Sequence, residues 1–185
     1  FQQAMVYMGS LSMLIIFGLM AVAFKSYWQP FLVLTAVPFG LMGAIFGHWL
    51  LGWQVSMFSM MGVSACAGVV VNDNLVLIDR VNTLRDEGME LIDSLLQGAT
   101  NRFRPIVLTS VTTFVGLVPI MLETSVQAQF LIPMVVSLSF GVMFATGVTL
   151  ILVPALYLLG DDVGEFFATL TKRKIDRADA DLPTV

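Results

Sequence analysis

Three consecutive polar side chains, Asn72, Asp73 and Asn74, interrupt an otherwise apolar segment of the chain. An ionisable side chain within a membrane helix costs about 2.5–3.5 kcal/mol on insertion scales, so its presence indicates a function. Successive residues of an α-helix point about 100° apart, so the three side chains must reach two neighbouring helices or a hydrated cavity. We therefore expect Asp73 to exchange protons and the two asparagines to orient it.

A second group of polar side chains is expected at a similar depth in the membrane. Asp73 lies seven residues before Arg80, which places it about 10 Å inside the helix end at 1.5 Å per residue. Thr109 lies five residues after Arg104, about 7–8 Å inside, and Thr112 continues its face. A carboxyl group beside hydroxyls and amides in a low dielectric can alternate between a neutral and an ionised form. Such alternation is what proton-coupled transport requires.

A simpler role remains open for these polar residues, namely hydrogen bonding that holds helices together. For Asn72 and Asn74 this role is as well supported as proton exchange. For Asp73 it is less so, because a neutral side chain would join helices at a lower desolvation cost. Among the other reactive side chains, His48 is expected at the membrane interface and Cys66 is expected to fill space between helices.

The composition of this chain indicates that it lies in a lipid bilayer and not in water. Hydrophobic residues make up 57% of its 185 positions and charged residues 12%, against about 45–50% and about 25% in soluble domains. The excess of apolar surface predicts an all-α integral membrane protein covered by the lipid bilayer. Few basic residues, without interleaved aromatics, argue against a nucleic-acid partner. No phosphate loop, zinc motif or nucleophile elbow occurs, so we expect no enzyme, no metal site and no cofactor other than an ion gradient.

Hydropathy predicts five transmembrane helices, since about 20 mostly apolar residues cross the hydrocarbon core. The predicted spans are residues 5–24, 31–53, 55–78, 106–122 and 130–159. Between the third and fourth spans, apolar residues at helical spacing predict an amphipathic connector over residues 86–100 at the membrane surface. Residues 161–185 are expected to form a partly disordered tail.

The basic residues predict the orientation of these spans. Every lysine and arginine falls between spans one and two, between spans three and four, or after span five. With five spans these places share one membrane face, which the positive-inside rule makes cytoplasmic. The first residue, Phe1, then begins on the periplasmic side, and the chain is expected to be a piece of a longer protein. Within the spans, Pro38 is expected to kink its helix, and Gly43 and Gly47 to admit a close neighbour.

Several sequence stretches resemble the resistance-nodulation-division pumps of the acriflavine-resistance type, over essentially residues 1–160. The stretch from Gly68 to Asp79 resembles their tenth span, and Arg102-Phe103-Arg104-Pro105-Ile106 followed by Thr109-Ser110 resembles the start of their eleventh. Lys25 to Pro30 resembles the connection between their eighth and ninth spans, and Val153 to Tyr157 the end of the last.

The resemblance implies a fold and a set of partners. Such pumps have twelve spans in two repeats and large periplasmic domains, and they usually work as homotrimers in the bacterial inner membrane. A periplasmic adaptor and an outer-membrane channel often accompany them. Their proton relay joins aspartates of the fourth span to a lysine, a threonine and an arginine, which by position fall on Asn72, Thr109 and Arg102. The lysine is therefore absent here, while Asp73 adds a carboxyl beside its place. The coupling is then expected either to use Arg102 as the charge partner or to use another ion.

Together these features predict the second-half helical bundle of a proton/substrate antiporter that exports drugs or other amphiphilic compounds. The remaining N-terminal part of the same protein would complete it. Two alternatives stay open. One is a related transporter with another cargo or ion, such as a lipid or a metal, or one that assists protein export; the other is a membrane scaffold without transport.

Overall fold

The computed structural model describes the backbone of residues 2–180 and the side chains of residue 3 and residues 6–160. Within residues 2–180 the chain forms α-helices and no strand. The helices are α1 (Gln2–Phe24), α2 (Trp28–Leu34), α3 (Val37–Leu51), α4 (Met57–Asp86), α5 (Leu91–Met121) and α6 (Val126–Ala180).

Five stretches of this described part are long and apolar enough to cross a membrane: Val6–Phe24, Trp28–Leu51, Met57–Asp86, Leu91–Met121 and Val126–Gly160. The second of them comprises α2 and α3 together. The all-α membrane fold with five transmembrane helices is therefore confirmed. We call the end of the bundle at which α4 ends the basic end, since Lys25 and Arg85 lie there, and the opposite end the far end.

The second span differs from the prediction, because it begins at Trp28 and is interrupted between α2 and α3. Pro38 has no N–H to bond the carbonyl of Leu34, so the regular helix cannot continue through this point. The chain instead tightens into a turn in which the backbone N–H of Ala36 bonds the carbonyl of Val33 at 3.2 Å. The hydroxyl of Thr35 donates to the carbonyl of Leu32 at 2.6 Å. The expected kink is thus a break between two separate helices.

The predicted connector over residues 86–100 also differs, because it is no separate helix. It joins the fourth span in one continuous helix, α5, that starts at Leu91 after a left-handed Gly88 (φ 91°). Pro105 lies inside this helix and removes a single backbone hydrogen bond. The buried face of the connector, which includes Gly98, packs against Val81 near the end of α4. The tail is helical to Ala180, and the expected disorder of residues 181–185 lies outside the described residues.

The last helix, α6, is the centre of the bundle and packs against α3, α4 and α5, whereas α1 packs chiefly against α2. Two glycines of α3 allow its approach to α6. A Cβ atom placed on Gly43 would lie 2.6 Å from the carbonyl oxygen of Phe140, and one on Gly47 would lie 2.5 Å from the Phe140 ring. The expectation that this pair admits a close neighbouring helix is confirmed.

Gly43→Ala is expected to destabilise the bundle, because the added methyl group would force α3 away from α6. Overpacking of this kind costs about 1–3 kcal/mol. Gly18→Ala is the matched control, since a Cβ there meets nothing within 4 Å and alanine favours the helix by about 1 kcal/mol. The measurement is the thermal unfolding temperature of the full-length protein in detergent. Equal unfolding temperatures for the two variants would contradict the close contact.

Candidate functional site

The candidate site lies in the second half of α4, a helix whose start is fixed by a reciprocal cap. The hydroxyl of Ser59 accepts from the backbone N–H of Ser56 at 3.0 Å, and the Ser56 hydroxyl accepts from the N–H of Ser59 at 3.4 Å. This arrangement satisfies backbone donors that a helix start otherwise leaves free. From there α4 runs without interruption to Asp86 and presents its polar residues at fixed angles.

The three polar residues of α4 point in three directions, as expected from the helical geometry. Asn72 is exposed, Asp73 is half-buried, and Asn74 is buried with 2% of its surface exposed. The Oδ2 atom of Asp73 and the Nδ2 atom of Asn74 are both buried and have no hydrogen-bond partner among the described residues. A buried polar atom without a partner costs about 1–3 kcal/mol, and a charged one costs more. A bound proton on the Asp73 carboxyl would remove the cost of its charge, and partners from elsewhere would satisfy both atoms.

Thr109 and Arg102, the other two predicted relay residues, lie on α5, which runs antiparallel to α4. Because Gly98 lies against Val81, Asp73 is level with residue 106, and Thr109 is about 5 Å farther along at 1.5 Å per residue. Thr109 is exposed, and its hydroxyl donates to the carbonyl of Pro105 at 2.9 Å in its own helix. Arg102 is half-buried. Neither residue bonds the Oδ2 atom of Asp73, so the described residues alone do not assemble the predicted relay.

The exposed surface of α5 consists of two faces of different chemistry. One face is apolar and includes Leu108 and Val115, which are 59% and 60% exposed. The other face carries Thr109, Thr112 and Gly116 at helical spacing, all exposed. Apolar side chains suit contact with lipid, whereas small and hydroxyl residues are typical of contacts between membrane helices. The second face therefore suits another helix rather than lipid.

On α4, the exposed face that contains Asn72 has the same character. Gly68 and Ser64, about one and two turns earlier, are also exposed. The Ser64 hydroxyl donates to the carbonyl of Met60 at 3.0 Å, so it needs no hydrogen-bond acceptor on a neighbouring helix. Small and polar residues thus occur on exposed faces of both α4, which carries the half-buried Asp73, and its neighbour α5.

A buried hydrogen bond that the sequence analysis missed joins α5 to α6. The hydroxyls of Ser110 and Thr146 lie 2.7 Å apart, and both residues are buried. The Ser110 hydroxyl also donates to the carbonyl oxygen of Ile106 at 3.1 Å. The two residues are 36 positions apart in the sequence. No local sequence pattern identifies the pair, which is evident only from the packing of α5 against α6.

His48 was expected at the membrane interface; it lies in the last turn of α3, and its side chain points into the bundle. Its side chain is only 3% exposed. Its Nδ1 atom lies 2.9 Å from the carbonyl oxygen of Ala44, and its Nε2 atom lies 2.8 Å from the Ser59 hydroxyl. A carbonyl can only accept, so Nδ1 carries the hydrogen. The imidazole thus connects the end of α3 to the cap of α4, a contact across the turn that hydropathy does not reveal.

Metal binding finds no support in the part of the chain with described side chains. No group of three or more His, Cys, Asp or Glu residues there is arranged to hold an ion. Cys66 is buried, and Cβ atoms placed on Gly40 and Gly141 would lie 3.0 and 2.7 Å from its sulfur. It fills the contact between α3, α4 and α6, as expected for a packing residue.

Comparisons with known proteins give one family. The sequence model of the AcrB/AcrD/AcrF family matches residues 1–161 of this chain. The cobalt-zinc-cadmium resistance protein CzcA of Cupriavidus metallidurans is 32% identical over 148 residues, which cover 80% of this chain and 14% of that protein. The swarming motility protein SwrC of Bacillus subtilis is 31% identical over 144 residues, 77% of this chain and 14% of that protein.

A solved structure of a heavy metal efflux pump has the same arrangement of helices, with a TM-score of 0.75 and 29% sequence identity. The match covers 85% of this chain and 15% of the pump. The chain thus spans about one seventh of the length of the relatives it matches.

Ser110→Ala and Thr146→Val are expected to couple when combined, because they share one buried hydrogen bond. Interhelical hydrogen bonds in membranes average about 0.6 kcal/mol and reach about 1.7 kcal/mol in double-mutant cycles. The measurement is the unfolding free energy of the two single variants and of the double variant. Thr112→Val replaces Ser110→Ala in the control cycle, because the Thr112 hydroxyl bonds the carbonyl of Leu108 in its own helix. Additive effects in the first cycle would show that the hydroxyls do not interact.

Proposed function

Because this chain belongs to the AcrB/AcrD/AcrF family, we propose that it forms the closing five spans of an ion-driven efflux pump of the resistance-nodulation-division superfamily. In this proposal the pump lies in the bacterial inner membrane, with the basic end of the bundle in the cytoplasm. The preceding part of the same protein would supply the other spans and the domains that bind the cargo. No cofactor is needed, because a proton gradient supplies the energy.

Asp73 is the residue proposed to take up and release the proton. The observation that carries this role is its Oδ2 atom, which is buried and without a hydrogen-bond partner among the described residues. A neutral carboxyl is stable in such a place, whereas the ionised form requires a cation or hydrogen-bond donors to be brought in. A change in helix packing that supplies or withdraws those donors would therefore change the proton occupancy. The converse also holds by linkage, so proton binding would drive the change in packing.

The exposed polar faces of α4 and α5 are the proposed contact with the preceding part of the protein. Asn72 lies on the exposed face of α4, next to Asp73 in the chain, and Thr109 lies on the exposed face of α5. A helix that covers both would complete the surroundings of the carboxyl and close the site to lipid. The resemblance implies that acidic residues of the fourth span fill this position. Asn72 and Asn74 would then orient Asp73 from opposite sides of α4, and Thr109 would contact it from α5.

Arg102 is the proposed charge partner of the relay. A lysine is absent at position 72, so the fourth-span acids lack the cation that the resemblance places there. Arg102 is half-buried near the basic end of α5, and its guanidinium remains charged in any surroundings. It would stabilise the ionised form of the relay from the cytoplasmic side, when the proton is released.

Two classes of compound are candidates for the cargo of the pump. Drugs and other amphiphilic compounds are the cargo implied by the sequence resemblance. Metal cations are favoured by the names of CzcA and of the solved heavy metal efflux pump. In either case the proposal places the cargo-binding site in the preceding part of the protein. Homotrimeric assembly, a periplasmic adaptor and an outer-membrane channel belong to the same proposal.

Asp73→Asn in the full-length protein is expected to abolish efflux, because the amide keeps the size of the side chain but does not take up or release a proton as the pH changes. Membrane abundance should stay at the level of the unaltered protein. Asp93→Asn is the matched control, since Asp93 is an exposed acid in the first turn of α5. The measurement is cargo export by cells at equal protein abundance. Export that survives in Asp73→Asn would favour a scaffold or a different relay.

Cargo identity is tested with the purified full-length protein in proteoliposomes under an imposed proton gradient. A metal exporter should move zinc, cobalt or cadmium ions and leave an amphiphilic dye in place, and a drug exporter should do the reverse. Transport of either class should require the gradient and an acid at position 73. Movement of neither class, with the gradient intact, would reject both candidate cargoes.

A further inference from the structure

A hydrogen-bonded cluster of three side chains joins three helices at the basic end. The amides of Gln29 and Asn82 pair reciprocally: Gln29 Nε2 donates to Asn82 Oδ1 at 3.0 Å, and Asn82 Nδ2 donates to Gln29 Oε1 at 2.8 Å. The Tyr157 hydroxyl donates to Asn82 Oδ1 at 3.0 Å and accepts from Gln29 Nε2 at 3.2 Å. The three residues belong to α2, α4 and α6, and we call them the amide clamp.

The amide clamp is directional in a way that the other contacts described here between α4 and α6 are not. Each amide oxygen and nitrogen and the hydroxyl take part in at least one bond, so the geometry of each side chain is fixed by the other two. Farther from the basic end, α4 and α6 meet through Cys66 against Gly141 and through Gly62 against Ser137. Those contacts are close, but a small rotation of either helix would break no strong bond.

The register between α4 and α6 makes the clamp relevant to Asp73. Gly62 meets Ser137, Cys66 meets Gly141 and Asn82 meets Tyr157, always with an offset of 75 residues. The two helices therefore run in parallel with constant register past the candidate site. Asn82 lies nine residues after Asp73 on the same continuous helix, about 13 Å along its axis.

The third member of the clamp lies on a helix that is separated from the rest of its span. The break at Thr35 and Ala36 ends α2 one turn after its buried Leu32 and Val33. Ala36 packs in the same cluster as Cys66 and Val70 of α4, so the break lies about one turn before Asp73 along α4. Gln29 thus holds a short helix whose other end adjoins the segment with the candidate site.

We propose that Gln29, Asn82 and Tyr157 are positioning residues, which fix the rotation and depth of α4 against α6 and thereby the surroundings of the Asp73 carboxyl. The proposal rests on the proposed role of Asp73 in proton exchange. Without the clamp, α4 can turn or slide at its basic end, and the carboxyl meets a different set of neighbours. The protonation of Asp73 and the rate of transport then change, although no clamp residue touches the carboxyl.

The charged groups near the clamp remain constant in the variants that test it. Gln29, Asn82 and Tyr157 line a cleft of about 540 Å³ at the basic end, whose charged lining groups are Lys25, Asp79, Arg85 and Asp86. Replacement of an amide or a hydroxyl alters none of these charges. A changed pH dependence in such variants would therefore follow from a changed position of Asp73 and not from a lost charge.

Tyr157→Phe is the first test, since it deletes one hydroxyl and keeps the ring. In the full-length protein, the pH at which a hydrophobic carbodiimide labels Asp73 should shift. The maximal rate of transport should fall about fivefold, as expected for the loss of hydrogen bonds worth about 1 kcal/mol, with the KM for cargo unchanged. Tyr27→Phe is the control, because Tyr27 is 81% exposed. An unshifted labelling profile in Tyr157→Phe would overturn the proposal.

The reciprocal amide pair allows a rescue experiment. Gln29→Asn shortens the pair by one methylene and Asn82→Gln lengthens it by one, so each single variant should shift the labelling profile of Asp73. The double variant restores the combined length and should return at least half of the shift. Single variants with a normal profile, or a double variant as impaired as the worse single variant, would contradict a positioning role.

The labelling readout separates this inference from the proposed function. Carbodiimide reacts with a protonated carboxyl whether or not the proton is coupled to transport. If Asp73→Asn still transports, the proton-exchange proposal fails, and a shifted profile in Tyr157→Phe would nevertheless show that the clamp positions Asp73. If Asp73→Asn is inactive and the profile is unshifted, the clamp proposal alone fails.

Discussion

The absence of water from the hydrocarbon core constrains every part of this chain. Backbone groups there must bond within the same segment, which is why the membrane-spanning stretches of the described chain are built from helices. Side-chain polar groups obey the same constraint. The hydroxyls of Thr109 and Thr112 bond carbonyls of their own helix, and Ser110 bonds Thr146 of the next. Three buried atoms among the described residues lack a partner, namely Asp73 Oδ2, Asn74 Nδ2 and Ser137 Oγ. Of these, the ionisable group is the Asp73 carboxyl, which has the largest cost of burial and is therefore the one that indicates a function.

Close packing and polar bonding have separate tasks in the bundle. Glycines set the distance between helices, because Gly43 leaves no room for a Cβ atom beside Phe140. Polar contacts set rotation and depth, because hydrogen bonds depend on direction. His48 with Ser59 fixes the start of α4 and the amide clamp fixes its end. The candidate site lies between these two anchors, on a helix that both hold in place.

The fold could be predicted from the sequence because the membrane makes hydropathy decisive. Five apolar segments and the polar trio around Asp73 follow from local composition, and the structure has five spans at these places. The break between α2 and α3, and the continuity of the connector with the fourth span, do not follow from hydropathy. The relation between distant helices could not be predicted in this way. Gln29 bonds Asn82 and Tyr157, which are 53 and 128 positions away in the sequence. His48 forms a buried hydrogen bond with Ser59 of the next helix. The predicted proton relay stays a prediction, since its remaining partners would come from the preceding part of the protein.

The most direct test of this account is infrared difference spectroscopy of the full-length protein with isotope-labelled aspartate, recorded as the imposed pH changes and as cargo is transported. The account predicts a protonated-carboxyl band that appears and disappears during these changes, and that is missing from Asp73→Asn but present in Asp93→Asn. A spectrum without a band that depends on Asp73, or a band that stays constant while cargo moves, would contradict proton exchange at this residue.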